Sequence, residues 1–286
     1  MFFKKTSLKD ETAPPTYEQS LKKPYFSIFV LTRDSEKAKN SVHMAKRAKR
    51  SVVYFNPTQR NCPNFNPLAG EEADAIECII SSYHAGNPDL PVFFLEKGET
   101  LLRSSIKVLK RLDRAELVDG RYATFYHLNR FLQNAGGEGR RFVQDLDKIK
   151  AESAGEAKDN SQIISWFMDN YFSENSSTYE HTAGVRSAIS KIATNEYLKK
   201  VLSPEYDMGE RNEVDFDDLI SNHGVTCLCV DGLRFLDTFL AHMFFSRYQT
   251  ASARILNTLE SGGAHRLYMD DYLQYFLLSH APVSPL

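Results

Sequence analysis

Two neighbouring carboxylates, Asp270 and Asp271, follow a short apolar segment and have the residue types and spacing for chemistry. Residues 266–269 read Arg-Leu-Tyr-Met, so the pattern is that of a Walker B element, a strand that ends in acidic residues. At the carboxyl end of a strand, Asp270 can hold Mg²⁺ through water and Asp271 can orient an attacking water. The alternative is a solvated turn after a buried strand, because many strands end in acidic turn residues.

The phosphate-binding loop that such a strand needs as its partner is not found. That loop has the pattern Gly-x-x-x-x-Gly-Lys-Ser/Thr, so that backbone N–H groups and a lysine hold the phosphates. No Gly-Lys pair occurs in the sequence. The glycine-rich residues 136–139 precede Arg140 and Arg141, but they follow a predicted helix and are interpreted as a flexible loop between helices. The chain is therefore not expected to build a standard nucleotide site unaided.

A basic segment supplies the second group of candidate residues. Residues 37–70 contain seven Lys or Arg and no acidic residue. Four of the seven, at the end of a predicted helix over residues 36–50, are weak candidates for contacts with nucleic-acid phosphates: Lys46, Arg47, Lys49 and Arg50. The alternative interpretation is a solvated helix face.

The elements that must position these residues are strands and helices in a mixed order. Segments rich in β-branched and aromatic residues predict strands at residues 25–31, 51–55, 225–230 and 265–269. The first two strands flank the basic helix, and such a βαβ unit implies a parallel sheet. Apolar stripes at helical spacing predict that residues 71–212 are mainly helical, and a further long helix is predicted over residues 233–259.

Composition restricts the class of protein. There are 35 Lys and Arg against 37 Asp and Glu, which gives no overall charge signal for nucleic acid. With 42% hydrophobic residues, the chain is predicted to be globular, not disordered. The four cysteines lack paired spacing and fit a reducing compartment better than a disulfide scaffold. No apolar run approaches the roughly 18 residues of a membrane span, so a soluble intracellular protein is expected.

Two Asn-Pro pairs follow the second predicted strand and are unusual together. That strand runs into Phe55-Asn56-Pro57, and about ten residues later the chain reads Phe65-Asn66-Pro67-Leu68. Each proline forces an extended backbone in the residue before it, so a rigid irregular loop that caps the sheet is one reading.

With the surrounding segments, these motifs resemble the TraG-like coupling proteins, the ATPases of conjugative type IV secretion systems. The matching segments follow one another in the order typical of that family and span about residues 25–278. Besides the two Asn-Pro motifs they are residues 93–109, 214–226, 241–253 and the strand before Asp270.

The resemblance implies a fold, a ligand and partners. The expected fold is α/β, a partial P-loop NTPase (RecA/AAA-like) parallel sheet with an inserted all-α domain. Residues 24–70 and 213–286 would form the ATPase parts, residues 71–212 the insertion, and residues 1–23 a disordered tail. ATP and Mg²⁺ are the implied cofactors, with Asp270 coordinating the metal and Asp271 as the catalytic carboxylate.

The family's partners would be the relaxase, the relaxosome with its DNA, and the secretion-channel proteins. A homo-oligomer (hexamer), or a complementing subunit that carries the P-loop, is also implied. The location would be the cytoplasmic side of the inner membrane. The alternative function is a non-enzymatic protein-binding module, a truncated paralogue that uses its helical domain.

The sequence departs from the family pattern at three places. Transmembrane helices and a P-loop, which open the family's chains, are absent. Residues 32–35 stand where the family has an Asp-Pro-Lys-Gly-like turn, and they keep an acidic residue, Asp34, but neither the proline nor the glycine. The Asp-Asp pair replaces Asp-Glu, so the shorter Asp271 is expected to reach the attacking water poorly. The chain is interpreted as a central slice of a coupling protein that does not hydrolyse ATP alone.

Overall fold

The computed structural model describes residues 16–118, 123–174, 176–203, 213–256 and 264–269. The strands are β1 (Phe26–Thr32), β2 (Val52–Phe55), β3 (Val225–Cys229) and β4 (Ala264–Met269). The helices are α1 (Tyr17–Leu21), α2 (Ser35–Arg47), α3 (Glu72–Ala85), α4 (Val92–Arg114), α5 (Phe125–Gln133), α6 (Glu138–Leu146), α7 (Ala154–Trp166), α8 (Thr178–His181), α9 (Ala183–Thr194), α10 (Leu198–Leu202), α11 (Phe216–Ser221) and α12 (Asp237–Leu256). Short 3₁₀ segments lie at Ala135–Gly137 and Arg234–Leu236, and a π-helical turn at Phe167–Tyr171.

The four strands form one parallel sheet in the order β2-β3-β1-β4. Residues of β1 pair with β3 on one side, from Ile28 opposite Val225, and with β4 on the other, from Phe26 opposite Ala264. The predicted single α/β sheet is therefore confirmed. The order itself was not predicted: β3, which is far away in sequence, lies between the two strands of the first βαβ unit.

Two compact units divide the chain. The first contains the sheet and comprises residues 1–56, 215–233 and 251–286. The second comprises residues 57–214 and 234–250, and its regular secondary structure within the described residues is helical apart from one isolated bridge between Asn64 and Glu213. By this division residues 57–70 and 234–250 group with the helices. The domain bounds expected from the sequence stay predictions.

The core of the sheet unit is formed by alternate residues of the strands and by the apolar face of α2. Its buried members are Leu21, Phe26, Ile28, Val30, Ala38, Val42, Ala45, Val225, Cys227 and Cys229. Every residue of β1 is buried, as is typical of a parallel strand covered on both faces. Cys227 and Cys229 are free thiols packed in this core, because alternate residues of a strand point to the same face.

The predicted disordered tail is wrong for residues 16–23. Thr16 begins α1 with a capping box, in which its hydroxyl accepts from the Gln19 N–H and its own N–H donates to the Gln19 side chain. The helix is held on the unit because the Tyr17 hydroxyl donates to the Ser41 carbonyl, at 2.8 Å, and the side chain of Leu21 is buried. Residues 1–15 lie outside the described residues.

Close helix packing explains two glycines of the helical unit. A Cβ on Gly98 of α4 would lie 2.7 Å from the Tyr83 hydroxyl of α3, so only glycine allows this contact. Gly139 lies inside α6, and a Cβ there would be 2.4 Å from the Phe131 carbonyl oxygen of α5. The predicted flexible loop over residues 136–139 is therefore wrong at its end, because Gly139 is buried in a helix–helix contact.

Arg111 joins three helices of the same unit. Its side chain is buried and forms ion pairs with Glu72 of α3 at 3.1 Å and Asp159 of α7 at 2.6 Å. It also donates to the side-chain oxygen of Asn160, at 2.5 Å. Because a buried guanidinium is stable only when its charge and N–H groups are satisfied, this cluster fixes α4 relative to α3 and α7.

Candidate functional site at the carboxyl edge of the sheet

The carboxyl ends of the parallel strands meet at one edge of the sheet. Thr32 at the end of β1 is level with Cys229 of β3, and Leu31 is level with Met269 of β4. From β1 the chain crosses the sheet towards β2, whereas from β3 it crosses in the opposite direction towards β4. Open α/β sheets bind ligands at the carboxyl edge where neighbouring strands lead in opposite directions. This edge is therefore the candidate functional site.

A hydroxyl and a carboxylate meet between the ends of β1 and β3. The first residue of α2, Ser35, donates from its Oγ to Oδ2 of Asp231 at 2.5 Å, and the same Oγ lies 3.8 Å from Sγ of Cys229. A hydrogen bond to a carboxylate is short and strong because the acceptor is charged. Ser35 and Asp231 supply the oxygen ligands that Mg²⁺ prefers, although no group of three metal-ligating side chains occurs within the described ranges.

The amino end of α2 is occupied by a side chain of the protein. Oδ1 of Asp34 accepts hydrogen bonds from the N–H groups of Glu36 and Lys37, at 2.9 and 3.0 Å. The Asp34 N–H in turn donates to the Thr32 hydroxyl at 3.0 Å. The bond from the Lys37 N–H is the main reason that the pKa of Asp34 is lowered.

Helix N–H groups at this position are the ones that hold phosphate in nucleotide-binding folds. In this structure the Asp34 carboxylate already accepts from two of them. The connection from β1 to α2 is therefore a capped turn and not a phosphate cradle.

The groups on the β2 side of the edge are not suited to nucleophilic chemistry. The Asn56 side chain is buried and donates to the Tyr54 hydroxyl at 3.0 Å. Burial raises the pKa of Tyr54 and of the Cys229 thiol. Both groups are therefore protonated at neutral pH, and a protonated thiol is a poor nucleophile.

The two carboxylates predicted from the sequence, Asp270 and Asp271, lie outside the described residues. The strand before them is described: β4 is parallel to β1, and its last residue, Met269, pairs with Leu31. The strand β4 therefore ends at the edge of the sheet where a Walker B carboxylate is expected. The roles given to Asp270 and Asp271 stay predictions.

The four basic residues proposed for nucleic-acid binding do not share one environment. Lys46, Arg47 and Lys49 are exposed. The guanidinium of Arg50 is half-buried and donates to four backbone carbonyls, with Nη1 at 3.3 Å from the oxygens of Leu21 and Lys23 and Nη2 bonded to those of Phe26 and His223. Desolvation lowers the pKa of Arg50. Arg50 therefore has a structural task that Lys46, Arg47 and Lys49 do not share.

Sequence reasoning missed the pair of Ser35 and Asp231. A signal was present, because residues 225–230 form an apolar segment followed by Asp231, which is the same pattern as the segment before Asp270. The partner of that carboxylate was not visible, since Ser35 lies 196 positions away in the chain.

Comparison with known proteins adds no family to this description. Neither the protein-family models nor the curated proteins yield a match to the chain. Within the described part of the chain, none of the helices is both long and apolar enough to cross a bilayer.

Proposed function

We propose that this chain is a segment of a conjugative coupling protein, a motor that links a relaxase–DNA cargo to a type IV secretion channel. One observation carries the proposal: the segments on either side of the helical block form a single parallel sheet, in which β1 lies between β3 and β4. A single sheet interrupted by a helical block is the arrangement that the resemblance implies, and strands in separate sheets would have contradicted it.

The nucleotide chemistry in this proposal is incomplete within the chain. Asp270 holds Mg²⁺ through water, and Asp271 orients the attacking water. The capped amino end of α2 supports assigning the phosphate-binding loop elsewhere, because its first N–H groups already bind Asp34. A complementing subunit that carries the P-loop supplies it and with it ATP, because another copy of this chain, as in a homo-hexamer, has no Gly-Lys pair either. The chain works at the cytoplasmic side of the inner membrane.

Titration with Mg-ATP tests this proposal. We measure the binding of a fluorescent ATP analogue to the full chain and to Asp270→Ala, with and without Mg²⁺. Because the chain lacks the phosphate-binding loop, the expected result is weak, residual binding that depends on magnesium and weakens about a further tenfold in Asp270→Ala, since a lost metal contact of about 1.4 kcal/mol corresponds to that factor. The matched control is Glu18→Ala, an exposed acidic residue of α1, which is expected to leave the affinity unchanged.

The alternative function gives a different result in the same experiment. If the sheet is only a scaffold for a protein-binding helical unit, Mg-ATP binding is absent or is identical in the Asp270→Ala variant. Either outcome would overturn the proposed motor role and favour the non-enzymatic module.

A further inference from the structure

The carboxyl ends of α1 and α2 meet at the amino edge of the sheet, which is opposite the candidate functional site. The Arg50 guanidinium, just after α2, donates to the carbonyls of Leu21 and Lys23, at the end of α1 and just after it. It also donates to the carbonyls of Phe26 and His223, at the amino ends of β1 and β3. The two helix ends therefore lie side by side at this edge.

Five exposed cations belong to these two helix ends. We call them the basic corner: Lys22, Lys23, Lys46, Arg47 and Lys49. Within the described residues, no ion pair joins any of the five to a carboxylate, in contrast to Lys39 of α2, which pairs with Glu36 at 2.9 Å. The charge of the basic corner is therefore available to a partner.

Few carboxylates offset this charge. The acidic residues of residues 16–50 and of α11, which precedes the turn at residue 223, are Glu18, Asp34, Glu36, Asp217 and Asp218. Asp34 and Glu36 lie at the opposite end of α2, and Asp217 pairs with Arg254 at 2.7 Å. Two carboxylates remain against the five cations, so the basic corner keeps an excess of positive charge.

Lys49 has a backbone conformation that favours glycine. Its φ is 55°, in the left-handed region, and the Arg50 N–H donates to the Ala45 carbonyl at 3.1 Å, which closes a Schellman cap on α2. Glycine is the usual residue at this position because it has no Cβ. A residue that breaks a local rule of this kind points to a function. The lysine adds a positive charge to the basic corner.

An exposed aromatic ring lies next to the cations in the chain. Tyr25 is 45% exposed, and its ring meets the buried ring of Phe26 edge-on, with 4.7 Å between the centroids. Tyrosine is enriched where protein meets the membrane–water interface, because its ring is apolar and its hydroxyl is polar. Clustered basic residues beside an exposed aromatic ring are typical of surfaces that bind anionic bilayers.

We propose that the basic corner binds the surface of a bilayer that contains anionic lipids. Clusters of about four to eight Lys or Arg residues are the size that recognises such surfaces. Nucleic acid fits less well, because four of the five residues are lysines, which lack the planar fork of arginine. The proposal does not depend on the motor role, since it concerns the opposite edge of the sheet.

Co-sedimentation of the full chain with vesicles tests the proposal. One set of vesicles contains phosphatidylcholine with phosphatidylglycerol, and the other contains phosphatidylcholine alone. We expect binding only to the anionic vesicles, and we expect it to be lost in about 1 M salt, where the Debye length falls to about 3 Å. Lys22→Gln and Lys46→Gln are each expected to weaken binding about fivefold, which is the contribution of one basic residue near an anionic surface.

Lys49→Gly separates binding from folding. It removes the charge and places glycine in the left-handed conformation, so the urea midpoint is expected to stay the same or rise while vesicle binding weakens about fivefold. If the cations served only to stabilise the negative end of the α2 dipole, vesicle binding would not change. The matched control is Lys158→Gln, which removes an exposed charge from α7 and is expected to change binding less than about twofold.

Three results would overturn the proposal. The first is that the chain binds both kinds of vesicle equally, or neither. The second is that Lys46→Gln and Lys49→Gly weaken binding no more than Lys158→Gln does. The third is that the chain binds a duplex oligonucleotide but not the anionic vesicles, which would assign the basic corner to nucleic acid.

Discussion

Replacement of Arg50 by alanine tests whether this residue serves the fold or a nucleic-acid surface. The guanidinium donates to four carbonyls, which belong to the end of α1, the residues before and at the start of β1, and the turn before β3. Arg50→Ala removes all four hydrogen bonds at once. It therefore loosens the contacts that hold α1 and the amino ends of β1 and β3 together.

The magnitude follows from the environment of each bond. Hydrogen bonds from charged donors contribute about 1.5–3 kcal/mol when they are shielded from water. Arg50 is only half-buried, and one of the four bonds is exposed, so we take about 1 kcal/mol for each of the three part-buried bonds. The expected loss in the free energy of unfolding is about 3 kcal/mol, which shifts the urea midpoint by about 1 M at a slope of about 3 kcal/mol per M.

Urea unfolding followed by far-ultraviolet circular dichroism measures this change. The matched control is Arg47→Ala, the exposed last residue of α2, with an expected change within about 0.5 kcal/mol. Arg50→Lys keeps the charge but is expected to restore less than half of the loss, because one ammonium cannot reach four carbonyls. Equal stability of Arg50→Ala and Arg47→Ala would refute the structural role. If Arg50→Ala loses DNA binding while its stability is unchanged, Arg50 would instead be assigned to nucleic-acid binding.

Three further predictions concern packing, capping and thiol reactivity. Gly98→Ala is expected to lower the free energy of unfolding by about 1–3 kcal/mol, because its Cβ would overlap the buried Tyr83 ring. Gly184→Ala, where a Cβ meets nothing within 4 Å, is expected to stabilise the helix α9 by up to about 1 kcal/mol; equal unfolding midpoints for the two variants would contradict the packing argument. Asp34→Ala is expected to lower the melting temperature at pH 7. The folded-state pKa of Asp34 lies below its ordinary value of 3.8. The cap's contribution to stability is therefore complete above pH 3.8 and is lost as the pH falls through the folded-state pKa. A difference in melting temperature between Asp34→Ala and the unchanged chain that is the same at about pH 2 as at about pH 7 would refute this reasoning. Iodoacetamide should alkylate the half-buried Cys62 first in the native chain, because the other three thiols are buried. Burial also raises the pKa of Cys78 and of Cys227 to about 12. Mass spectrometry that finds a buried thiol alkylated as fast as Cys62 would contradict this prediction.

Local sequence patterns determined the elements of this protein and the parallel type of its sheet. Short runs rich in apolar residues predicted all four strands, and the signal is clearest in β1 and β3, because a strand buried on both faces must be apolar along its length. The spacing of apolar residues marks the helices in the same way. The alternation in residues 225–229 also placed Cys227 and Cys229 on one buried face.

Local sequence patterns did not predict a helix, or its first residue, where the segment is polar or lacks apolar periodicity. Residues 16–23 have the composition of a tail, but their order comes from contacts of Tyr17 and Leu21 with the sheet unit. The amino end of helix α4, which begins at Val92, carries no periodic signal because its first turn is apolar yet exposed.

Only the tertiary structure decided the strand order, the partner of Asp231 and the task of Arg50. These features depend on residues far apart in the chain: Ser35 and Asp231 are 196 positions apart, and Arg50 and His223 are 173 apart. Neither partner's local pattern contains information about the other, because the hydrogen bond exists only after the strands have paired. The amino-acid sequence thus specified which segments are buried, and the packing of those segments brought the polar groups of the carboxyl edge together.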